Sequence, residues 1–210
     1  MKNIILTSLV FGAVILLAGC GQQHHKDSEF VLELGEYAPI TDAEVITVKG
    51  DAITIDNRVA VGSVLNDIAL DQPVGEFDKI EQVSLSSLEG YTLIYSVPSL
   101  DTPVCTLQTK QIEAASEKYP EFNFVIVSHD TPFALERFCT DKNIENVLTL
   151  SDSRSKEFAR QNGLYMSEYN LMTRAIVIVN DQLEVVYSDY ADEVTDPVDL
   201  LNAFAYLETL

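Results

Sequence analysis

Residues 91–109 read YTLIYSVPSLDTPVCTLQT, and the architecture can be worked out from them. Tyr91 to Val97 is a run of β-branched and aromatic residues, and Pro98 stops it, so it predicts a strand. After Pro103 come Cys105, Leu107, Ile112, Ala114 and Ala115, with Gln108, Lys110, Gln111 and Glu113 between them. That spacing predicts an amphipathic helix entered through a proline and ending near Tyr119 and Pro120. Cys105 then falls in the first helical turn, among amide N–H groups without intrahelical partners, and such groups favour a thiolate.

The flanking sequence repeats this alternation of strand and helix. Phe122 to Ser128 reads as a strand covered on both faces. Thr131 and Pro132 read as the cap and first position of a helix carrying Phe138 and Cys139. Val147 to Leu150 is a further strand, and Ser153 is expected to cap a helix through Ala159 that Gly163 stops. Arg174 opens a strand at Ala175–Val179, and Asn180–Asp181 turn it back into Leu183–Tyr187. Asp196 and Pro197 are expected to start a last helix running to Leu207. Upstream, Val45–Val48 and Ala52–Ile55 flank Lys49-Gly50-Asp51 as a hairpin. Asn66–Leu70 suggests a short strand interrupted by Asp71–Gly75, Phe77–Val83 an extended segment, and Leu85–Leu88 a helical turn. Repeated βαβ units followed by a hairpin and a helix make one α/β domain over residues 45–210, with no linker dividing it.

The chain has 210 residues, 47% of them hydrophobic, and a formal net charge of −20. Its first segment stands apart from that domain. Lys2 gives a positive start, Ile4 to Leu17 an apolar run, and LAGC at 17–20 a small-residue close. LAGC resembles the lipobox of bacterial lipoproteins, which implies a signal peptide at 1–19, a lipid-bearing Cys20, and a tether and lead-in over 20–44. An uncleaved anchor and an ordinary secretion signal are the alternatives. Gly21 after the cysteine resembles an outer-membrane sorting pattern in a cell with two membranes. Losing Lys2 with the signal takes the charge to about −21, so no nucleic-acid partner is expected, and lipid rather than a basic patch would hold the protein to a membrane. His24 and His25 lie in the polar tether without fixed ligands nearby, and no metal or other cofactor is expected.

With Cys20 acylated, Cys105 and Cys139 would be left as an even pair in an export compartment, where disulfides are permitted. A structural staple between them is one reading. Pro98, Thr102 and Cys105 form the pattern PxxxTxxC and point to another. The proline fixes the chain as it leaves the strand and can shield the sulfur. The Thr102 hydroxyl can orient a peroxide O–O bond, and the N–H groups of Cys105 and its neighbour can face the same oxygen. Peroxide cleavage by sulfur also needs a donor for the charge on the departing oxygen. Arg174, set before a buried-looking strand, is the first candidate, and Arg137 beside Cys139 is the rival. His129 next to Asp130 raises the idea of a Cys/His hydrolase, but no oxyanion arrangement accompanies it.

PSLDTPVCTLQT, RFC at 137–139 and RAIVIVN at 174–180 together resemble the thiol peroxidases of the peroxiredoxin superfamily, with the likeness covering roughly residues 45–210. The resemblance implies an α/β thioredoxin-like fold, a central mixed sheet flanked by helices, with an added N-terminal β-hairpin at 45–55. It implies Cys105 as the peroxidatic cysteine, Cys139, 34 positions on, as the resolving one, Thr102 and Arg174 as activators, and Pro98 as a shaper of the pocket. It further implies a hydroperoxide substrate, organic as well as hydrogen peroxide, an intramolecular disulfide, a homodimer and a thioredoxin-like dithiol reductant, which here would have to be exported. Two departures stand beside the likeness, and neither concerns the cysteine chemistry: at the rim, Thr173 stands where a small apolar residue is common, with Tyr169-Asn170 in the preceding loop, and in location, an exported enzyme needs an exported donor where cytoplasmic relatives use thioredoxin. The competing functions are a thiol–disulfide exchange protein, disfavoured because Gln108 stands where CxxC needs its second cysteine, and a noncatalytic binding protein stapled by a disulfide.

Overall fold

Strand β5 (Thr92–Ser96) is buried at all five positions, as expected of a strand covered on both faces. In the computed structural model, which describes residues 45–74 and 79–210, it is the third strand of a seven-stranded mixed sheet. Helix α1 (Pro103–Lys118) carries the chain from β5 to the parallel β6 (Asn123–Ser128), and α2 (Pro132–Lys142) carries it from β6 to the parallel β7 (Leu148–Ser151). The N-terminal members are β3 (Leu70–Pro73), antiparallel to β7, and β4 (Ile80–Val83), antiparallel to β3. On the other side come β10 (Ala175–Val179) and the edge strand β11 (Val185–Tyr190), each antiparallel to its neighbour. The strand order is β11-β10-β5-β6-β7-β3-β4, a thioredoxin-like α/β fold. Two small ladders accompany it. The expected N-terminal hairpin is β1 (Ile46–Val48) with β2 (Asp51–Ile53), and β8 (Tyr165–Met166) pairs with β9 (Leu171–Met172). Helices α3 (Glu157–Gln161) and α4 (Leu200–Leu207) complete the unit.

Register assigns the two faces of the sheet. Ile176, Tyr95, Ile126 and Thr149 are successive cross-strand partners and therefore share a face. Tyr95 meets Gln108 of α1 there, and Thr149 meets Cys139 of α2. Two right-handed crossovers stepping in one direction along a sheet put their helices on the same face, which brings both cysteine-bearing helices to one side. Ile94, Val125, Val127, Leu150 and Val177 point the other way, into a core closed by Phe158, Leu164, Met166, Ile46 and Val59.

Five expectations are corrected. The segment at 71–73, read as an interruption, is strand β3: Asp71 is buried against Ser151 of β7 and takes an Arg154 Nε at 2.8 Å, and Pro73 ends the strand. Residues 66–69 are not a strand. Ser153 does not cap α3; its hydroxyl meets Ser151, and the buried Asp152 carboxylate accepts the N–H groups of Phe158 and Ala159 instead. The return arm starts at Val185, not Leu183, because Leu183 adopts φ 60 within the turn and the ladder shifts between Ile178 and Val179. Helix α4 begins after Asp199, whose carboxylate accepts the Asn202 N–H, and not at Asp196. Val198 cannot join it, since both its N–H and its carbonyl are held by Gln108. The signal at 1–19, Cys20 and the tether to 44 lie outside the described residues.

Candidate active site

Thr102 caps α1 in extended conformation, with Pro103 at the first helical position, so Cys105 sits at the third. The loop before it is held from behind by Asp130, whose carboxylate accepts the Ser99 hydroxyl at 2.9 Å and the Leu100 N–H at 2.8 Å. This carboxylate fixes where the helix begins, and so where the sulfur stands.

Cys105 is fully buried, and Arg174 Nη1 donates to its Sγ at 3.1 Å. Arg174 immediately precedes β10, which pairs with β5 so that Ala175 lies opposite Ser96. Residues 69 apart in sequence thereby meet. The same Nη1 donates to Tyr95 Oη at 2.7 Å, and Nε donates to the Val194 carbonyl at 2.9 Å. Burial works to lower the Arg174 pKa, but the Tyr95 and Cys105 oxygen and sulfur beside it outweigh that and raise it, so a permanent cation faces the sulfur. Tyr95 is pushed well above the ordinary phenol range, chiefly by burial and against the pull of Arg174. It stays a neutral phenol.

Thr102 Oγ1 accepts the Cys105 N–H at 3.4 Å and donates to the Ser99 carbonyl at 3.3 Å. The Cys105 N–H, expected to face a substrate oxygen, is thus taken up by the cap. Both threonine bonds are long, so the hydroxyl is weakly held.

Beside these groups opens a cavity of about 310 Å³. Pro98, Thr102, Val104 and Arg174 line it together with Val48, Met166, Tyr169, Leu171, Val194 and Thr195. The wall is therefore almost wholly apolar except at Thr102, Thr195 and the guanidinium. Pro98, Thr102 and Arg174 come together as expected, and the hairpin β1–β2 contributes Val48. Tyr169 of the β8–β9 turn also lines this cavity.

Cys139 is elsewhere on the same sheet face. Half buried on α2, its Sγ lies 3.3 Å from Thr149 Oγ1. Burial pushes its thiol pKa up, the Thr149 contact opposes this, and the Glu113 carboxylate adds to it. Both cysteines are free thiols. Their anchors, Tyr95 on β5 and Thr149 on β7, are two strand spacings apart, about 10 Å. Arg137 is exposed on α2, and the guanidinium in contact with the Cys105 sulfur is that of Arg174. His129 is not brought to either cysteine; its Nδ1 lies 3.3 Å from the Asn170 carbonyl and its Nε2 3.5 Å from Asp152.

Two participants escaped the sequence reading. Tyr95 was one more aromatic in a strand, although a phenol in a fully buried strand must find a polar partner. Val194 acts through its backbone carbonyl, which no side-chain pattern reveals.

Comparison with known proteins gives the family. Residues 72–207 match the Redoxin family. The thiol peroxidase of Bacillus subtilis is 33% identical over 153 residues, covering 72% of this chain and 89% of its own. That of Staphylococcus aureus is 36% identical over 163 residues, covering 76% and 95%. Among solved structures, a peroxiredoxin-like protein from Aquifex aeolicus superposes with a TM-score of 0.70 at 25% identity, covering 80% of this chain and 97% of that one. Thiol peroxidase from Chromobacterium violaceum superposes at 0.69, and at 20% identity it speaks for the fold. With a redoxin match across most of the domain and thiol peroxidases aligned along nearly their whole length, the chain belongs to the thiol peroxidase family of the peroxiredoxins, enzymes that reduce peroxides through cysteine chemistry.

Proposed function

We propose that Cys105 is the peroxidatic nucleophile and Cys139 its resolving partner. The observation that carries this reading is the guanidinium of Arg174 at 3.1 Å from a buried sulfur at the head of α1, next to an open cavity. In the first step the Cys105 thiolate attacks the distal oxygen of ROOH. The O–O bond breaks, sulfur is oxidised to the sulfenic acid, and the departing RO⁻ takes a proton and leaves as ROH. Arg174 stabilises the charge on the departing oxygen, and the Thr102 hydroxyl, released from its long contacts, orients the peroxide. Pro98 closes the pocket beside them.

In the second step the Cys139 thiol condenses with the sulfenic acid, forming an S–S bond and releasing water. An external thioredoxin-like dithiol then reduces the disulfide by exchange. A disulfide needs Cα atoms within about 7 Å, so the two helix segments must move toward each other across the face they share. The nearly apolar cavity wall supports organic hydroperoxides as substrates alongside hydrogen peroxide. We further propose a homodimer, exported and held to a membrane by lipid on Cys20, with an exported reductant supplying electrons.

The test is turnover of an alkyl hydroperoxide with a dithiol reductant, read against the mass of each cysteine product. Cys105→Ser is expected to abolish turnover. Cys139→Ser is expected to form the Cys105 sulfenic acid once and fail to recycle through an internal disulfide. Unchanged turnover in Cys105→Ser would remove the nucleophile, and normal recycling in Cys139→Ser would remove the resolver.

A further inference from the structure

Behind Arg174 lies a closed chain of hydrogen bonds that peroxide chemistry does not itself require. Tyr95 is wholly buried on β5. Its oxygen accepts Arg174 Nη1 at 2.7 Å, and the hydroxyl donates to Gln108 Oε1 at 2.7 Å. Gln108, one turn beyond Cys105 on α1, is also buried. Its Nε2 donates to the Val198 carbonyl at 2.8 Å, and its Oε1 accepts the Val198 N–H at 3.3 Å.

These contacts settle where every proton lies. Val198 offers one donor and one acceptor, so the Gln108 amide can stand only one way round. Its oxygen must then receive the tyrosine proton. A guanidinium cannot accept, so the tyrosine presents only a lone pair to Arg174. With one Nη1 hydrogen on Tyr95, the other is aimed at Cys105 Sγ. The Nε bond to Val194 holds the far side of the side chain.

We propose that Tyr95, oriented by Gln108, is a positioning residue for Arg174: it sets the angle at which the guanidinium meets the sulfur and the departing peroxide oxygen. The inference rests on the reading of Cys105 and Arg174 given above. Gln108 reaches the guanidinium only through the phenol, and Val198 ties this chain to the start of α4.

The experiment uses the full chain, reduced, with two rates followed at Cys105 by mass of the quenched protein. One is oxidation by cumene hydroperoxide. The other is alkylation by iodoacetamide, whose departing iodide needs no donor of the kind a departing oxyanion does. Tyr95→Phe keeps the ring and is expected to lower the oxidation rate about tenfold while changing alkylation less than about twofold. Gln108→Met lets the tyrosine proton turn toward Arg174, and a smaller loss of about threefold is expected, again in oxidation. The double variant should match Tyr95→Phe alone, because Gln108 acts through the phenol.

Equal falls in both rates, or no fall in either, would overturn the positioning role, as would multiplying effects in the double variant. Should Tyr95→Phe fail to fold, Gln108→Met decides the matter by the same ratio of rates. Failure of wild-type Cys105 to be oxidised at all overturns the parent reading, whereas normal wild-type oxidation with an unaltered Tyr95→Phe overturns the positioning role alone.

Discussion

Arg174 makes contact with a sulfur, a phenol and a backbone carbonyl from a position 2% exposed. A planar fork with five donors can do this, and a single ammonium cannot. Arg174→Lys keeps the charge but leaves at least one of Tyr95 and Val194 without its donor. Peroxide reduction is expected to fall about a hundredfold, the scale of losing a donor to a developing oxyanion, with stability lower by about 2 kcal/mol for the orphaned buried acceptor. Steady-state turnover and thermal melting measure the two effects, and a lysine variant with near wild-type turnover would show that charge alone suffices. At this scale the sequence was legible where residue type carries the chemistry. Cys105 after a proline-entered helix start, Thr102 as its cap and Arg174 before a buried strand were all open to reading. Tyr95 was not, because its role depends on Gln108 and Arg174 reaching it from other elements.

Elements with one dominant signal were readable and those shaped by tertiary contacts were not. Strand β5 and helices α1 and α2 carry periodicity and proline caps, and they lie where expected. Strand β3 was hidden because Asp71, Gln72 and Pro73 have turn-like composition, and it is stabilised by β4, β7 and Arg154. The joint between the cysteine-bearing helices has the same character. Glu113 of α1 reaches past the end of α2 and accepts the consecutive N–H groups of Glu145, Asn146 and Val147 at 3.0–3.2 Å, and Asn146 Nδ2 at 2.9 Å. One carboxylate therefore ties the helix of Cys105 to the loop that follows the helix of Cys139. It also adds to the upward push on the Cys139 thiol. Glu113→Gln removes the charge and turns one acceptor into a donor facing N–H groups. Amide exchange at 145–147 should quicken by about tenfold, and Cys139 should react with iodoacetamide at a lower pH. Unchanged exchange at those three amides would mean that the loop holds itself.

Across the whole molecule, the N-terminal hairpin is fastened beside the site by a residue from the other end of the chain. The Glu193 carboxylate accepts the Thr47 hydroxyl at 2.9 Å, the Lys49 N–H at 2.9 Å and the Gly50 N–H at 3.0 Å. It also accepts the Thr195 N–H and hydroxyl. Next to it, Val194 accepts Arg174 Nε and gives its own N–H to the Thr47 carbonyl. The sequence allowed the hairpin to be read but not its seat, since nothing local links residue 47 to residue 193. Burial would raise the Glu193 pKa, but the donated bonds outweigh it and bring it down to about 2. A carboxyl whose folded pKa lies below its unfolded value of about 4.3 stabilises the fold fully above that value. The contribution is lost as pH falls from there through about 2. Asp189 acts with the opposite sign: burial, with Asp199 and Asp192 nearby, lifts it to about 6, so it lowers stability as pH rises from about 4 toward 6 and adds no further change above that. Glutamine resembles the protonated acid, so Glu193→Gln isolates the first effect. At pH 7 it is expected to cost about 1–2 kcal/mol after solvent screening, or about 2–6 °C in Tm. The gap to wild type should close as pH falls toward 2, while the Asp189 contribution cancels between the two proteins. A gap that is independent of pH would mean that Glu193 fastens the hairpin by shape and not by charge.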